Sequence, residues 1–108
     1  MCVHTPVPNI EQLVIKEFED APIMIEVAYC ESRFRMFNKE GEVLRGEVNP
    51  LDVGIFQVNE FYHLESSKNL DIDIHTIKGN LQYARYLYDK NSLKDWAASR
   101  PCWEPRMI

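Results

Sequence analysis

The sequence predicts an α+β fold that is mostly helical, with one small β-hairpin inserted between helices. Apolar residues recur at helical spacing over roughly 10–19, 20–34 and 74–89. Over 34–49 the pattern alternates and is interrupted by a turn, as expected of a hairpin. The chain has 108 residues, 45% hydrophobic and 27% charged, which suits one core. We therefore expect an extended lead-in over 1–8 and a single domain over 9–108.

Start signals define the first two helices. Asn9 opens a capping-box pattern for a helix over about 10–19. Asp20 is the predicted N-cap of the second helix, with Pro22 in the first turn, where a missing N–H is tolerated. This second helix is largely apolar, and it carries Glu31 in its last turn.

The middle of the chain predicts the β-structure. A turn over 38–41 joins the two arms of a hairpin within 34–49, and Asn49-Pro50 ends it. A loop or short strand over 51–59 and a short helix over 60–66 follow.

The longest predicted helix covers roughly 74–89. Asp71 or Asp73 is its predicted N-cap. Ser92 is then the predicted cap of a last short helix, which Pro101 ends. The buried seam expected for the longest helix consists of Ile74, Ile77, Leu81, Ala84 and Tyr88.

Composition excludes several classes of function. With 17 acidic and 12 basic residues, the net charge of -5 lacks the basic footprint of a nucleic-acid binder. No apolar run reaches the roughly 20 residues that span a bilayer, and Met1 to Glu11 does not resemble a secretory signal. The cysteines fit no zinc spacing, so we expect neither metal nor organic cofactor.

Glu31 is the residue that most clearly predicts chemistry. It ends an apolar helix, where desolvation and the negative end of the helix dipole both raise the pKa of a carboxyl. A carboxylic acid with such a pKa delivers protons near neutral pH, as cleavage of a glycosidic bond requires. The alternative is an ordinary solvated carboxylate at a helix end.

Two segments together resemble a known family. Glu31-Ser32-Arg33-Phe34 and Asp52-Val53-Gly54-Ile55-Phe56-Gln57-Val58-Asn59 are similar to motifs of the lysozyme-like superfamily. The likeness is closest to soluble lytic transglycosylase domains, with goose-type and chicken-type lysozyme features. Tyr62-His63 looks like the goose-type pattern, and the segment 79–87 resembles the asparagine-containing helix of the transglycosylases. The likeness spans roughly 20–103.

The resemblance implies roles for individual residues. Glu31 corresponds to the catalytic glutamate, and Asp52 to the second carboxylate of chicken-type lysozymes. An alternative role for Asp52 is that of a turn residue bonding the backbone before Gly54. The expected site is catalytic Glu31 and Asp52 with substrate-binding Ser32, Gly54, Gln57, Asn59 and Tyr86.

The cysteines carry one further expectation. A disulfide between Cys30 and Cys102 would close most of the chain and contribute roughly 4 kcal/mol. It would suit an oxidising envelope compartment. Two buried thiols are the alternative, and Cys2 is expected to be a frayed N-terminal residue.

The predicted function is cleavage of the β-1,4 bond between N-acetylmuramic acid and N-acetylglucosamine in peptidoglycan, by a lytic transglycosylase with Glu31 as general acid and base. The alternatives are a hydrolytic lysozyme using Glu31 and Asp52, and a non-catalytic glycan-binding module on the same scaffold. We expect peptidoglycan strands as the partner, no nucleic acid, and a monomer. The expected location is the cell envelope, the extracellular space or a phage, with the signal peptide absent from this sequence.

Overall fold

The structure is a computed structural model that describes residues 9–107; the expected lead-in over 1–8, with Cys2, lies outside this range. The helices are α1 (Ile10–Glu17), α2 (Ile23–Ser32), α3 (Glu60–Asn69), α4 (Ile77–Asn91) and α5 (Arg100–Trp103), with 3-10 helices at Lys94–Ser99 and Glu104–Met107. Strands β1 (Asp52–Val53) and β2 (Val58–Asn59) pair antiparallel. The predicted α+β class is confirmed.

The β-structure is displaced along the chain from its predicted position. The region 34–49 holds a tight turn closed by a single bridge between Phe37 and Val43. The Asn38 side chain closes this turn by accepting backbone N–H groups from Glu40 and Glu42. The regular strand pair lies instead within 52–59, because each arm of 34–49 is too short and too interrupted to form a ladder of its own.

Local signals predicted α1 correctly and the start of α2 wrongly. Asn9 and Gln12 form the full capping box at α1. Asp20 does not cap α2, because its carboxylate pairs with Arg85 of α4 at 2.6 Å. Pro22 is itself the N-cap residue, without a side-chain cap.

The predicted boundaries of the C-terminal elements also need correction. Thr76, rather than Asp71 or Asp73, caps α4 through its hydroxyl, which accepts the Gly79 N–H at 2.9 Å. Ser92 follows α4 as its C-cap and caps no later helix. Pro101 does not end a helix but lies in the first turn of α5, where its ring is tolerated.

The core lies between α1, α2, α4 and the turn that joins the two strands. Phe18 of α1 meets the ring of Phe56 in this turn edge-on, at 5.4 Å between centroids. Phe56 in turn packs against Trp96. The fully buried apolar side chains include Val14, Phe18, Met24, Val27, Met36, Val53, Ile55, Phe56 and Ile74.

A disulfide joins Cys30 of α2 to Cys102 of α5, with 5.9 Å between the two Cα atoms. This is the pair expected from the sequence. None of the helices described within residues 9–107 is long and apolar enough to cross a membrane.

Candidate active site

Glu31 lies in the last turn of α2, at the edge of a cleft of about 440 Å³. The helix is anchored by the buried residues Met24, Val27 and Ala28. It ends at Arg33, whose left-handed backbone (φ 57°) turns the chain away. The carboxyl is therefore held at the junction of an apolar core and an open cleft.

Burial is the largest influence on Glu31, and it raises the pKa of this carboxyl above its ordinary value. A hydrogen bond from the Ser99 side chain opposes the rise, while the negative charge of Asp52 adds to it. A carboxyl in this setting keeps its proton to higher pH than an exposed glutamate.

The strand pair supplies the polar residues that share the cleft with Glu31. Asp52, Gln57 and Asn59 all line it. Asp52 pairs with Asn59 across β1 and β2, and the Asn59 amide donates to Asp52 Oδ1 at 2.9 Å. The same asparagine caps α3 by accepting the Tyr62 N–H, so its orientation is fixed from both sides.

Gln57 stands at the tight turn between the strands. Its backbone has a positive φ of 50°, and its side-chain amide donates to the Gly54 carbonyl at 2.9 Å. The side chain thus holds the turn together, while the residue contributes to the cleft lining.

Three of the residues expected to bind substrate do not line the cleft. Ser32 is buried, and its hydroxyl bonds Ala28 O and Arg35 N within its own helix end. Gly54 turns the chain with φ 76° behind the cleft. Tyr86 packs beside Tyr83, at 5.4 Å between ring centroids. We interpret their roles as structural.

Behind the strand turn, Asn80 of α4 is fully buried and satisfied by the backbone. Its Oδ1 accepts from Phe56 N at 2.9 Å, and its Nδ2 donates to Val53 O and Ile74 O. The asparagine of the 79–87 segment therefore positions the turn that carries Gln57, and it does not reach the cleft.

The far side of the cleft contains residues that the sequence did not single out. His63 Nδ1 lies 3.0 Å from the Tyr83 hydroxyl, and His63 Nε2 lies 3.7 Å from Asp95 Oδ1. Burial lowers the pKa of His63, against the attraction of Asp95, so the imidazole favours its neutral form. Tyr62 forms the exposed rim. Its position beside His63 in the Tyr62-His63 pair was the available sequence signal.

The wall opposite the strand pair is formed by the segment 94–99. Asp95, Trp96 and Ala98 line the cleft, and the Trp96 indole donates to the Phe56 carbonyl at 2.9 Å. No sequence motif pointed to these residues, because only the folded chain brings this segment beside α2.

Within residues 9–107, no three His, Cys, Asp or Glu side chains converge as they do around a metal ion. The chemistry that the cleft offers is that of two carboxyl groups and two side-chain amides on opposite walls.

Comparisons with protein-family models, with curated proteins and with solved structures find no match to this chain.

Proposed function

We propose that the protein is a glycosidase that cleaves the β-1,4 bond between N-acetylmuramic acid and N-acetylglucosamine in peptidoglycan, acting as a lytic transglycosylase. The observation that carries the proposal is Glu31: a partly buried carboxyl with a raised pKa, facing a cleft lined by Asp52, Gln57 and Asn59. This is the arrangement that proton delivery to a glycosidic oxygen needs.

In the proposed reaction Glu31 first donates its proton to the leaving oxygen of N-acetylglucosamine as the bond to C1 of the muramic acid breaks. The resulting carboxylate then takes the proton of the muramic acid 6-hydroxyl, whose oxygen attacks C1. The product carries a 1,6-anhydro ring, and Glu31 is protonated again. One carboxyl therefore acts as acid and then as base.

The amides of Gln57 and Asn59 support the reaction by binding the sugar. Both side chains are fixed by hydrogen bonds within the strand turn, so little side-chain freedom remains to be lost when a glycan enters. Their amide groups are suited to the N-acetyl and hydroxyl groups of amino sugars.

A second candidate function is hydrolysis, and Asp52 favours it. Its carboxylate faces the same cleft and acts electrostatically on Glu31. In a hydrolytic lysozyme it would stabilise or trap the sugar cation, and water would complete the reaction. Asn59 donates to Asp52, which holds that carboxylate in a fixed orientation.

The decisive experiment compares wild-type protein with Glu31→Gln on purified peptidoglycan. Removing the transferable proton should lower the rate by about a hundredfold or more. Glu26→Gln is the matched control, because Glu26 lies on the same helix but pairs with Arg106 outside the cleft. Equal turnover by wild type and Glu31→Gln would overturn the proposal.

Mass spectrometry of the released fragments distinguishes the two reactions. Anhydro ends indicate transglycosylation, and reducing ends indicate hydrolysis. Under the main proposal Asp52→Asn leaves the anhydro product unchanged, whereas under hydrolysis it abolishes most turnover. Binding of glycan without any product from the wild type would identify a non-catalytic binding module instead.

A further inference from the structure

The wall formed by residues 94–103 is irregular for a segment that shapes a cleft. Its first part is a 3-10 helix, Lys94–Ser99, with a kink at Trp96 (φ -116°, ψ 22°). Its second part, α5, has only four residues. Neither helix has a side-chain N-cap hydrogen bond. Helices this short do not form on their own, so tertiary contacts must hold this wall in place.

Two kinds of contact do so. The buried indoles of Trp96 and Trp103 donate to Phe56 O and Trp96 O, respectively, at 2.9 and 3.1 Å. The indoles fix the wall to the strand turn and to itself. The disulfide at Cys102 alone joins the wall covalently to α2, at the residue that precedes Glu31.

This connection lies where it controls the cleft. Glu31 stands on one side of the disulfide, and the wall residues Asp95, Trp96 and Ala98 stand on the other. Ser99, three residues before Cys102, places a hydrogen bond on the Glu31 carboxyl. The disulfide thus holds the candidate acid next to its hydrogen-bond partner and the surface that desolvates it.

We propose that the Cys30–Cys102 disulfide is a redox-sensitive tie: an external dithiol reduces it, the wall over 94–103 loosens from α2, and the cleft loses its activity while the rest of the fold persists. The tie itself rests on the geometry of the disulfide and the wall; only its effect on turnover rests on the proposed function. The protein is then inactive in a reducing compartment and active in an oxidising one.

The chemistry of the switch follows from exposure. Cys102 is an exposed residue, whereas Cys30 is partly buried, so a reductant reaches Cys102 first. A thiolate attacks Cys102 Sγ, forms a mixed disulfide and expels the Cys30 thiolate, which takes up a proton. The second thiol of the reductant then attacks the reductant's own sulfur in the mixed disulfide and releases Cys102 as a thiol. Two electrons pass from the dithiol to the protein disulfide.

The experiment uses the full chain carrying Cys2→Ser, which removes the third thiol, and compares its oxidised form with the form reduced by dithiothreitol. Turnover of purified peptidoglycan is measured beside amide hydrogen exchange. On reduction, turnover should fall about tenfold to a hundredfold, as expected when reacting groups are misplaced by an ångström or so. Amide protection should be lost over 94–103 and kept in α4. Reoxidation should restore both.

Variants extend the test. The double variant Cys30→Ser/Cys102→Ser, in the same background, should match the reduced form and be insensitive to dithiothreitol. NMR titration of Glu31 gives a readout that a general loss of stability does not move. Its pKa should fall toward the ordinary value on reduction, because burial is the largest cause of the rise.

Two outcomes overturn the proposal. Unchanged exchange and unchanged Glu31 titration after complete reduction would show that the indoles alone hold the wall. Loss of protection in α4 as well as in the wall would show that the disulfide stabilises the whole fold and is no switch. If the oxidised protein has no turnover at all, the proposed function fails, while hydrogen exchange and the Glu31 titration still decide whether the tie exists.

Discussion

At Glu31, the burial that keeps the carboxyl protonated also opposes folding once the group ionises. The folded protein holds this proton more tightly than the unfolded chain does, since burial raises the folded-state pKa. The contribution to stability is therefore complete below the ordinary glutamate value, and it is lost as pH rises through the raised folded value.

Glu31→Gln should consequently stabilise the protein in a pH-dependent way. Near pH 8 the variant should have the higher Tm, and the difference should shrink toward about pH 4, where both forms are uncharged at this position. Thermal unfolding over this range, followed by circular dichroism, measures the gap. Glu65→Gln on the exposed surface of α3 controls for the loss of one negative charge. A gap that does not change with pH would contradict the prediction.

At the scale of elements, the junction between α4 and the strand turn determines the shape of the cleft. Asn80 binds the backbone at three places, and Gly54 lies against it so closely that an added Cβ would be 2.5 Å from Asn80 Nδ2 and 2.7 Å from Met36 Sδ. The turn that carries Gln57 is thus fitted onto α4 without free space.

Gly54→Ala should disrupt this junction, and Gly41→Ala is its matched control. Both glycines have positive φ, 76° and 80°, but a Cβ at Gly41 meets nothing within 4 Å. We expect Gly41→Ala to cost about 1 kcal/mol from its backbone conformation. Gly54→Ala should cost about 1–3 kcal/mol more through overpacking and should also lower turnover. Urea unfolding measures both; equal losses would show that α4 yields easily.

Sequence reasoning reached the elements that depend on local signals. The capping box at Asn9 joins groups three residues apart, and such a pattern is readable from the sequence. Asp20 carried an equally good capping signal but pairs instead with Arg85, which lies 65 residues away. Such long-range competition is invisible in a local pattern.

The candidate site divides in the same way. Glu31, Asp52, Gln57 and Asn59 were predicted from two short motifs, and the structure brings all four to one cleft. The wall over 94–99 was not predicted, because its placement depends on a disulfide and two indole hydrogen bonds rather than on its own sequence pattern.

At the scale of the whole molecule, charge governs the approach to a substrate. The chain carries a net charge of -5. Of the described residues lining the cleft, three are Asp or Glu and none is Lys or Arg. An anionic cell wall is therefore repelled over long range, and the glycan must be bound by short-range contacts.

Turnover of intact anionic walls should increase with salt. Between about 10 and 150 mM NaCl the screening length falls from roughly 30 to 8 Å, which should raise the initial rate roughly two- to tenfold as repulsion weakens. Uncharged oligomers of N-acetylglucosamine are the control substrate, and their binding should change little. A rate on walls that falls with added salt would point to an attractive surface instead.

The two indoles of the cleft wall have a spectroscopic consequence. Trp96 and Trp103 are the only tryptophans in the sequence, and both are buried in this one segment. The intrinsic emission of the protein therefore comes from beside the cleft, so its wavelength and quenching by iodide report on that wall alone. The molecule carries its own optical probe, and no label is needed to observe a sugar entering or the wall moving.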